Sequence, residues 1–219
     1  MIGHLGQRFA DKVAYMRRYA QRDLDHEGKG VINREDPRVE YFRQCQQDLN
    51  LALPILDKVC RKTIMLQEYT LSPGHCRGLA VACQFFDHQY VNRVFFSNCG
   101  IDDHEFASIL EGLNHLKDFK SIIYKANHFA EQSLLKLRPL LLKRLPNHLL
   151  ELKLIDCHMN SSHVSTLLDL LLETKSQLSQ LALVNAKHSE QSFEKVLQFV
   201  KTSEHLKELD LSWAKLSLV

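Results

Sequence analysis

The sequence predicts an α/β protein in which parallel strands alternate with helices along a repetitive chain. One eleven-residue pattern occurs five times, with apolar residues at positions 1, 4, 6 and usually 11 and with Asn, Cys or Ala at position 9. Between the copies, apolar residues recur every three to four residues, as in amphipathic helices. A period of 28 to 30 residues is typical of repeat architectures. The five copies begin at Val91, Phe119, Leu149, Leu178 and Leu206.

Each copy of the pattern contains a predicted strand. Positions 4, 5 and 6 alternate in direction, because successive side chains of a strand point to opposite faces. A weaker copy precedes the others and places Ile64 and Leu66 at positions 4 and 6, with Tyr69 at position 9. The residues at positions 4 and 6 of the five clear copies are predicted to enter the core: Val94, Phe96, Ile122, Tyr124, Leu152, Leu154, Leu181, Leu183, Leu209 and Leu211.

Helices are predicted between the strands, each after residues suited to a helix start. Asp102-Asp103, Ser161-Ser162 and Ser189 precede three of them, and Ser72-Pro73 precede the helix after the weaker copy. The helix after Phe129 contains Pro139, so we expect it to be kinked or divided. Twelve apolar residues are predicted to face the core from three of these helices: Phe106, Ile109, Leu110, Leu113, Val164, Leu167, Leu168, Leu171, Phe193, Val196, Leu197 and Val200.

A basic amphipathic helix is predicted near the start of the chain. Residues 7–22 place four apolar residues on one stripe and carry five basic residues elsewhere. Such a helix can lie on a membrane, bind an acidic partner or dock on its own protein. The stripe consists of Phe9, Val13, Met16 and Ala20, and the basic residues are Arg8, Lys12, Arg17, Arg18 and Arg22.

The chain is thus divided into three predicted parts. Residues 1–36 contain the basic helix and a polar linker, and residues 37–60 form a helical cap over the first strand edge, which a terminal repeat requires. We expect that cap to run from Val39 to Val59 with a break at Pro54. Residues 61–219 hold five to six strand–helix repeats. Because no helix is predicted after the last strand, we expect further repeats or another chain to cover the C-terminal edge.

Composition excludes several classes of function. The chain is 45% hydrophobic and 25% charged with a net charge of +2, which gives no global attraction to nucleic acid or membrane. No apolar run reaches the roughly 18 residues of a membrane span, and no secretory signal is recognisable. We therefore expect a cytoplasmic protein. The six cysteines are scattered, and Cys99 and Cys157 occupy position 9 as small buried substitutes for Asn rather than as parts of a disulfide framework.

Motifs for catalysis or metal binding are missing from the sequence. It contains no GxxxxGK[ST], GxGxxG, HExxH or GxSxG. We therefore expect no enzyme, no catalytic residue, no cofactor and no metal. The densest group of metal-ligand types has spacings unlike a zinc finger, and it consists of His75, Cys76, Cys83 and His88. Four histidines are expected to form a surface row near the strand-to-helix loops: His104, His128, His158 and His188.

The pattern LxxLxLxx(N/C)xL, with periods of 28 to 30 residues and a full helix per unit, resembles leucine-rich repeats of the ribonuclease-inhibitor-like class. The resemblance covers roughly residues 64–219, and Ala186 and Ala214 depart from it at position 9. It implies a curved solenoid with strands on the concave face and helices on the convex face. The class includes inhibitors, GTPase-activating proteins, innate sensors and axonemal components, so the fold alone does not select a function.

The outward strand face is the predicted partner-binding surface. Positions 5 and 7 give a diagonal apolar strip with lysines beside it, and an aromatic residue follows at position 8 of the last copy. The alternatives are that the N-terminal segment covers this face or that these side chains are isolated. The predicted partner-binding residues are Phe95, Ile123, Lys125, Lys153, Ile155, Val184 and Trp213.

The function expected from this surface is a non-enzymatic protein–protein interaction scaffold or adaptor within a larger intracellular assembly. The resemblance points to cytoskeletal or axonemal assemblies, and hence to the cytoskeleton or a cilium. The alternative is a regulator of a small GTPase, of the GTPase-activating type. Members that use an arginine would need one on a rim loop, whereas Arg93 is predicted on a strand and Arg144 near a helix end.

Overall fold

The computed structural model describes residues 36–56, 59–60, 62–86, 91–143 and 148–216. The predicted helix of residues 7–22, together with His88 and Arg144, lies outside the described residues. The helices are α1 (Pro37–Gln47), α2 (Pro73–Ala82), α3 (Asp103–Leu113), α4 (Glu131–Leu142), α5 (Ser161–Glu173) and α6 (Glu190–Thr202). The strands are β1 (Val59–Cys60), β2 (Thr63–Gln67), β3 (Arg93–Ser97), β4 (Ser121–Lys125), β5 (Glu151–Ile155), β6 (Gln180–Val184), β7 (Lys187–His188), β8 (Glu208–Asp210) and β9 (Lys215–Leu216).

The predicted alternation of parallel strands and helices is confirmed. The main sheet has the order β1-β2-β3-β4-β5-β6-β8, in which β1 is antiparallel to β2 and every other neighbour is parallel. The short strands β7 and β9 form a second parallel pair. Each helix from α2 to α6 follows one strand of the main sheet and packs on the helix before it. The fold is α/β, and its β–α units are compatible with a solenoid-like arrangement.

Apolar residues at equivalent positions lie side by side across the sheet and form its core. The parallel register aligns position 4 with position 4 and position 6 with position 6 of the next strand. From β2 to β6 all ten of these side chains are at most 1% exposed. Leu209 and Leu211 are only partly buried, because β8 is the last strand of the sheet within the described residues.

One position of every repeat unit, position 8, adopts the left-handed conformation. The φ angle at position 8 lies between 50° and 59° in all six units. In the first five units the backbone N–H of this residue donates to the carbonyl of position 7 in the next unit, over 2.9 to 3.1 Å. The turn therefore redirects the chain without ending the hydrogen bonding between units. The residues are Glu68, Asn98, Ala126, Asp156, Asn185 and Trp213.

The predicted burial of Cys99 and Cys157 at position 9 is confirmed, and the side chains at this position also join neighbouring units. Cys99, Asn127 and Cys157 each donate to the carbonyl of position 7 in their own unit and to that of position 6 in the preceding unit, over 2.8 to 3.4 Å. Burial raises the pKa of Cys157 to about 12, so this thiol stays protonated and keeps its donor. Ala186 is buried at the same position but has no side-chain donor.

The predicted helix from Val39 to Val59 is wrong in its second half. The helix ends at Gln47, because Leu49 adopts a left-handed conformation (φ 55°) and the Asn50 N–H bonds to the Cys45 carbonyl over 2.8 Å. Residues 51–53 are irregular and Val59 belongs to a strand. The helix α1 packs on α2, and β1 pairs with the edge of β2.

Pro139 does not divide α4, which is helical from Glu131 to Leu142. A proline within a helix removes the hydrogen bond to the carbonyl four residues earlier, here that of Leu135. Leu135 is 67% exposed, so water can reach that side of the helix and solvate the carbonyl. Leu142, the last residue of α4, is 48% exposed.

The start of α4 is capped by a residue of the preceding unit. Its own N-cap residue, Ala130, has no side-chain acceptor. Asp103 of α3 accepts instead, from the backbone N–H groups of Ala130 (2.7 Å), Gln132 (2.8 Å) and Ser133 (3.1 Å). Burial alone would raise the pKa of Asp103, but these hydrogen bonds hold it below its usual range. Helix α4 is thereby tied to α3 through a charged cap.

Three residues of α6 that were predicted to enter the core are exposed instead. Phe193 is 40%, Leu197 49% and Val200 43% exposed, whereas Val196 is buried. Lys195, on the opposite side of the helix, contacts Asp169 of α5. The three exposed residues therefore face away from α5, where no described helix follows.

His188 is predicted on the surface, and this is wrong. It occupies position 11, which is apolar in the other copies, and it is 0% exposed. Neither ring nitrogen has a hydrogen-bond partner among the described residues. The desolvation of the ring lowers the pKa of His188, so the folded protein favours the neutral imidazole.

Replacing His188 with leucine is expected to stabilise the protein by about 1 kcal/mol at pH 8, because burying an unpaired polar group is costly. Below about pH 6.5 the unfolded chain protonates this histidine and the folded chain resists protonation, so the wild type loses stability as the pH falls. The advantage of His188→Leu should therefore widen in urea unfolding at pH 5.5. Substitution of the exposed His128 by leucine serves as the control. A difference in unfolding free energy between His188→Leu and the wild type that stays constant with pH would contradict this account.

Candidate functional site

The outward face of the sheet brings six of the seven predicted residues into two adjacent rows. At position 5, the register aligns Phe95 with Ile123 and Ile123 with Lys153. At position 7, it aligns Lys125 with Ile155 and Ile155 with Val184. Directly paired side chains in neighbouring strands lie about 5 Å apart at their Cβ atoms, so each row is a continuous line of contacts.

The apolar strip crosses from one row to the other near its middle. In the position-5 row, Ile123 on β4 is followed by Lys153 on β5. The apolar side chain next to Ile123 on β5 is therefore Ile155, which lies two residues after Lys153 and begins the apolar part of the position-7 row. Both isoleucines, like Phe95 and Val184, are partly exposed. Diagonal neighbours of this kind are about 7 to 8 Å apart, within reach of a single bound side chain. The residues therefore form one oblique apolar strip.

Met65 extends the strip toward the N-terminal end, and the sequence analysis did not include it. It pairs with Phe95 in the position-5 row and is 50% exposed. The signal was present in the sequence, because Met65 stands at position 5 of the weaker first copy. The outward row Met65–Phe95–Ile123 thus spans three neighbouring strands without a polar interruption.

A half-buried salt-bridge cluster lies beside the strip and fixes Lys153. Glu151 at position 3 is 9% exposed, accepts from the Ser121 hydroxyl and lies 2.9 Å from Nζ of Lys153 and 3.6 Å from Nη2 of Arg93. Burial alone would raise the pKa of Glu151, but hydrogen bonds from Lys153 and Ser121 and the nearby cations hold it below its usual range. Glu151 is not among the residues predicted from the sequence. Only its place at position 3, in the row that also contains Arg93 and two residues before Lys153 on the same strand, could have indicated it.

The two lysines of the strip therefore differ. Lys153 is already paired with Glu151, whereas Lys125 is exposed and has no ion-pair partner within the part of the chain that is described. Lys125 is the side chain more available to an acidic group of a partner. Arg93 lies on β3 rather than on a rim loop, so its position does not favour the GTPase-activating alternative.

Trp213 lies at the C-terminal end of the strip. It is 82% exposed and has a φ angle of 59°, a conformation that costs about 1 kcal/mol or more for a residue with a Cβ atom. It borders an open depression of about 620 Å³ with Val184, Asn185 and Lys215 among its lining residues. The positive φ belongs to the turn, which every unit shares, but an aromatic side chain that remains this exposed suggests a role in binding.

The charge of the outward face changes sign at its last strand. Positions 3 and 5 of β8 are Glu208 and Asp210, whereas the middle of the sheet carries Lys125 and Lys153. The Asp210 carboxylate accepts from the Ser212 hydroxyl and from its backbone N–H at 2.8 Å, which lowers the pKa of Asp210. The outward face thus carries Lys125 and Lys153 beside the apolar strip and two carboxylates at β8.

The described members of the His/Cys group, which are His75, Cys76 and Cys83, have structural roles. Nδ1 of His75 accepts from the Ser72 N–H at 3.0 Å, and its Nε2 lies 2.8 Å from the Leu51 carbonyl, so both nitrogens help to fix the start of α2. Cys76 and Cys83 are buried, and burial raises the pKa of Cys83 to about 12. In the described ranges, no group of three or more His, Cys, Asp or Glu side chains is arranged to hold a metal.

No protein-family model matches this sequence. No curated protein matches it either. Among the described helices, none combines the length and the apolar character needed to cross a bilayer.

Proposed function

We propose that this chain is a leucine-rich-repeat scaffold of the ribonuclease-inhibitor-like class that binds another protein through the outward face of its sheet. The class assignment rests on the 28- to 30-residue period and on the position-9 side chains that bond to carbonyls of two units. A parallel sheet with one helix per unit supports it.

The observation that carries the proposed function is the apolar strip from Met65 through Phe95 and Ile123 to Ile155 and Val184. A contiguous apolar surface that remains exposed on a folded domain usually marks an interaction site. Interface centres favour aromatic and large aliphatic side chains with polar groups at the rim, which is the arrangement here.

The lysines indicate the chemistry of the partner. A suitable partner segment would place apolar residues along the strip and a carboxylate beside the exposed Lys125. Lys153 is already held in place by Glu151. Electrostatic pairing of this kind contributes more to specificity and association rate than to affinity. The resemblance suggests a role as a subunit of a larger cytoplasmic assembly, of the cytoskeletal or ciliary type.

Two substitutions test this proposal without weakening the fold. Ile123→Asp introduces a charge into the middle of the strip. Trp213→Asn removes the aromatic ring and places at position 8 a residue that tolerates a positive φ, as Asn98 and Asn185 already do. We expect Trp213→Asn to leave the stability unchanged or raised by up to about 1 kcal/mol.

Tagged variants of the chain are purified from the native source, and quantitative mass spectrometry measures the proteins that copurify. We expect either substitution to lower the amount of these proteins at least tenfold. Gln191→Asp, on the exposed side of α6, serves as the matched control and should retain them. If the copurifying proteins are the same for all three variants, the strip is not the binding surface.

A further inference from the structure

A depression lies between the C-terminal ends of α5 and α6 and contains no residue of the outward sheet face. Its volume is about 660 Å³, which is in the range of small-molecule sites. The lining comes from both helices and from the turns that follow them, and all of these residues belong to the described part of the chain. Leu171, Leu172 and Phe199 form its apolar wall.

Three polar side chains that line this depression have no hydrogen-bond partner among the described residues. They are Ser176, Gln177 and Ser203, and in each case the orphaned atom is a buried side-chain oxygen. Ser176 is only 6% exposed. The Gln177 oxygen can only accept a hydrogen bond, and each serine hydroxyl can accept one. Because unpaired buried oxygens cost free energy, the group missing from this place is a hydrogen-bond donor.

The equivalent space between α3 and α4 shows which group supplies such a donor. Lys143, the residue that caps the C-terminus of α4, reaches back to α3. Its ammonium donates to the carbonyl of Asn114, the cap of α3, at 2.7 Å and to that of Leu116, two residues beyond, at 2.9 Å. Helix C-termini carry a partial negative charge, which favours a cation at this place.

Two differences between the units remove this ammonium from the space between α5 and α6. Ser203 caps α6 with an extended backbone, as Lys143 caps α4, but its short side chain makes no hydrogen bond to a described residue. Ser176 lies two residues beyond Thr174, the cap of α5, where the α3 turn has the buried Leu116. The lysine and the leucine that fill the first space are therefore both serines in the second.

The charges and the hydrogen-bonding capacity of the depression suit a cation. Within the described residues its titratable lining consists of Glu204, Lys175 and His205, and all three are exposed. The carboxylate of Glu204 offsets the charge of Lys175, and the C-termini of α5 and α6 add partial negative charge from both sides. A primary ammonium donates three hydrogen bonds, which matches the three orphaned oxygens.

We propose that the depression between α5 and α6 binds a primary ammonium group on a short aliphatic stem, in the place that Lys143 occupies between α3 and α4. The ammonium donates to the three orphaned oxygens, and the stem lies against the apolar wall. A free alkylamine and a lysine side chain of another protein share this chemistry. The site is independent of the binding surface proposed for the sheet.

An NMR titration of the isotope-labelled full chain with n-butylamine at pH 7 is the test. We expect saturable shifts of the amides of residues 174–177 and 202–205, with a dissociation constant of about 1 to 10 mM. n-Butanol has the same stem without the charge and should bind at least tenfold more weakly. Nα-acetyl-lysine N-methylamide distinguishes the sources: it binds if a lysine of another protein fits, and it fails beside n-butylamine if only a free amine fits.

Ser203→Lys is the central variant, because it supplies from α6 the ammonium that Lys143 supplies from α4. It should bind n-butylamine at least tenfold more weakly than the wild type does. Ser176→Leu, which restores the leucine of the α3 turn, should also lose binding. Gln191→Lys is the matched control, since it adds the same charge at an exposed position near the other end of α6 and should bind as the wild type does.

Three results would overturn the proposal. Equal binding of n-butanol and n-butylamine would show that the depression recognises only the apolar stem. The absence of saturable shifts in the wild type would show that no ammonium binds there. Equal affinity of the wild type and Ser203→Lys, with the remaining amide signals confirming that the variant is folded, would place the amine elsewhere.

Discussion

Replacing Asn127 with alanine should lower the free energy of unfolding by about 3 kcal/mol, a large effect for a single polar side chain. Its side-chain oxygen accepts from the backbone N–H groups of Cys99 (2.8 Å) and Ile101 (3.3 Å), and the residue is 5% exposed. Alanine would leave both buried donors without an acceptor. Urea unfolding followed by circular dichroism measures the loss.

Asn127→Cys is the matched variant for this prediction. Cysteine at position 9 keeps a donor to the two carbonyls, as Cys99 and Cys157 do, but it is only a weak acceptor. Its expected loss is therefore intermediate, about half that of alanine. Equal losses for both variants would mean that only the bonds accepted by the Asn127 side-chain oxygen matter. A loss below about 1 kcal/mol for alanine would contradict the role of the position-9 side chain in joining neighbouring units.

Replacing Asp103 with alanine should cost about 2 kcal/mol, because α4 has no other side-chain acceptor at its start. The pKa of Asp103 is lowered in the folded protein. Its contribution is therefore present above the pKa of an unfolded Asp, near 3.9, and is lost as the pH falls through the lower folded value. The difference between wild type and Asp103→Ala in urea unfolding should be constant near pH 7 and shrink below about pH 4.

Glu111→Gln is the control for the Asp103 cap, since Glu111 also joins α3 to α4 through a carboxylate. Glu111 lies 3.0 Å from Nζ of Lys136, but its side chain is 64% exposed. An exposed pair of this kind contributes less than about 1 kcal/mol. A loss for Glu111→Gln as large as that for Asp103→Ala would show that any charge between these helices has the same effect, which would contradict a specific role for the cap.

The sheet core could be predicted because its two rules are local. Alternation of side chains along a strand assigns Val94 and Phe96 to one face and Phe95 to the other. A constant period then places equivalent residues side by side across the parallel register, as Ile122 and Leu152 are. The helix starts at Asp102 and Ser189 were predictable for a similar reason, because a cap acts within its own first turn.

The features that were missed depend on contacts between units. The carboxylate of Asp103 caps a helix 27 residues away, and Glu151 meets Arg93 from two strands distant, so neither follows from a local pattern. His188 was predicted on the surface because its side chain is polar. It is buried because it stands at position 11, which is apolar in the other copies and faces the core. The exposure of Leu197 could not be predicted from the pattern, because an apolar stripe does not reveal which of its sides has a neighbour.

The candidate site was predictable to a similar extent. Positions 5 and 7 identify the outward residues, and the register then determines which of them touch, as for Ile123 and Lys153. The ion pair that immobilises Lys153 and the strained backbone of Trp213 are three-dimensional properties that the pattern does not contain.

The most direct test of the proposed binding surface is cross-linking mass spectrometry on the protein purified from its native source with its companions. The account predicts cross-links from Lys125 and Lys153 to a second protein, and their loss in the Ile123→Asp variant. Cross-links from these two lysines only to residues of this chain, Lys12 among them, would show that the face is covered internally and would contradict the proposal.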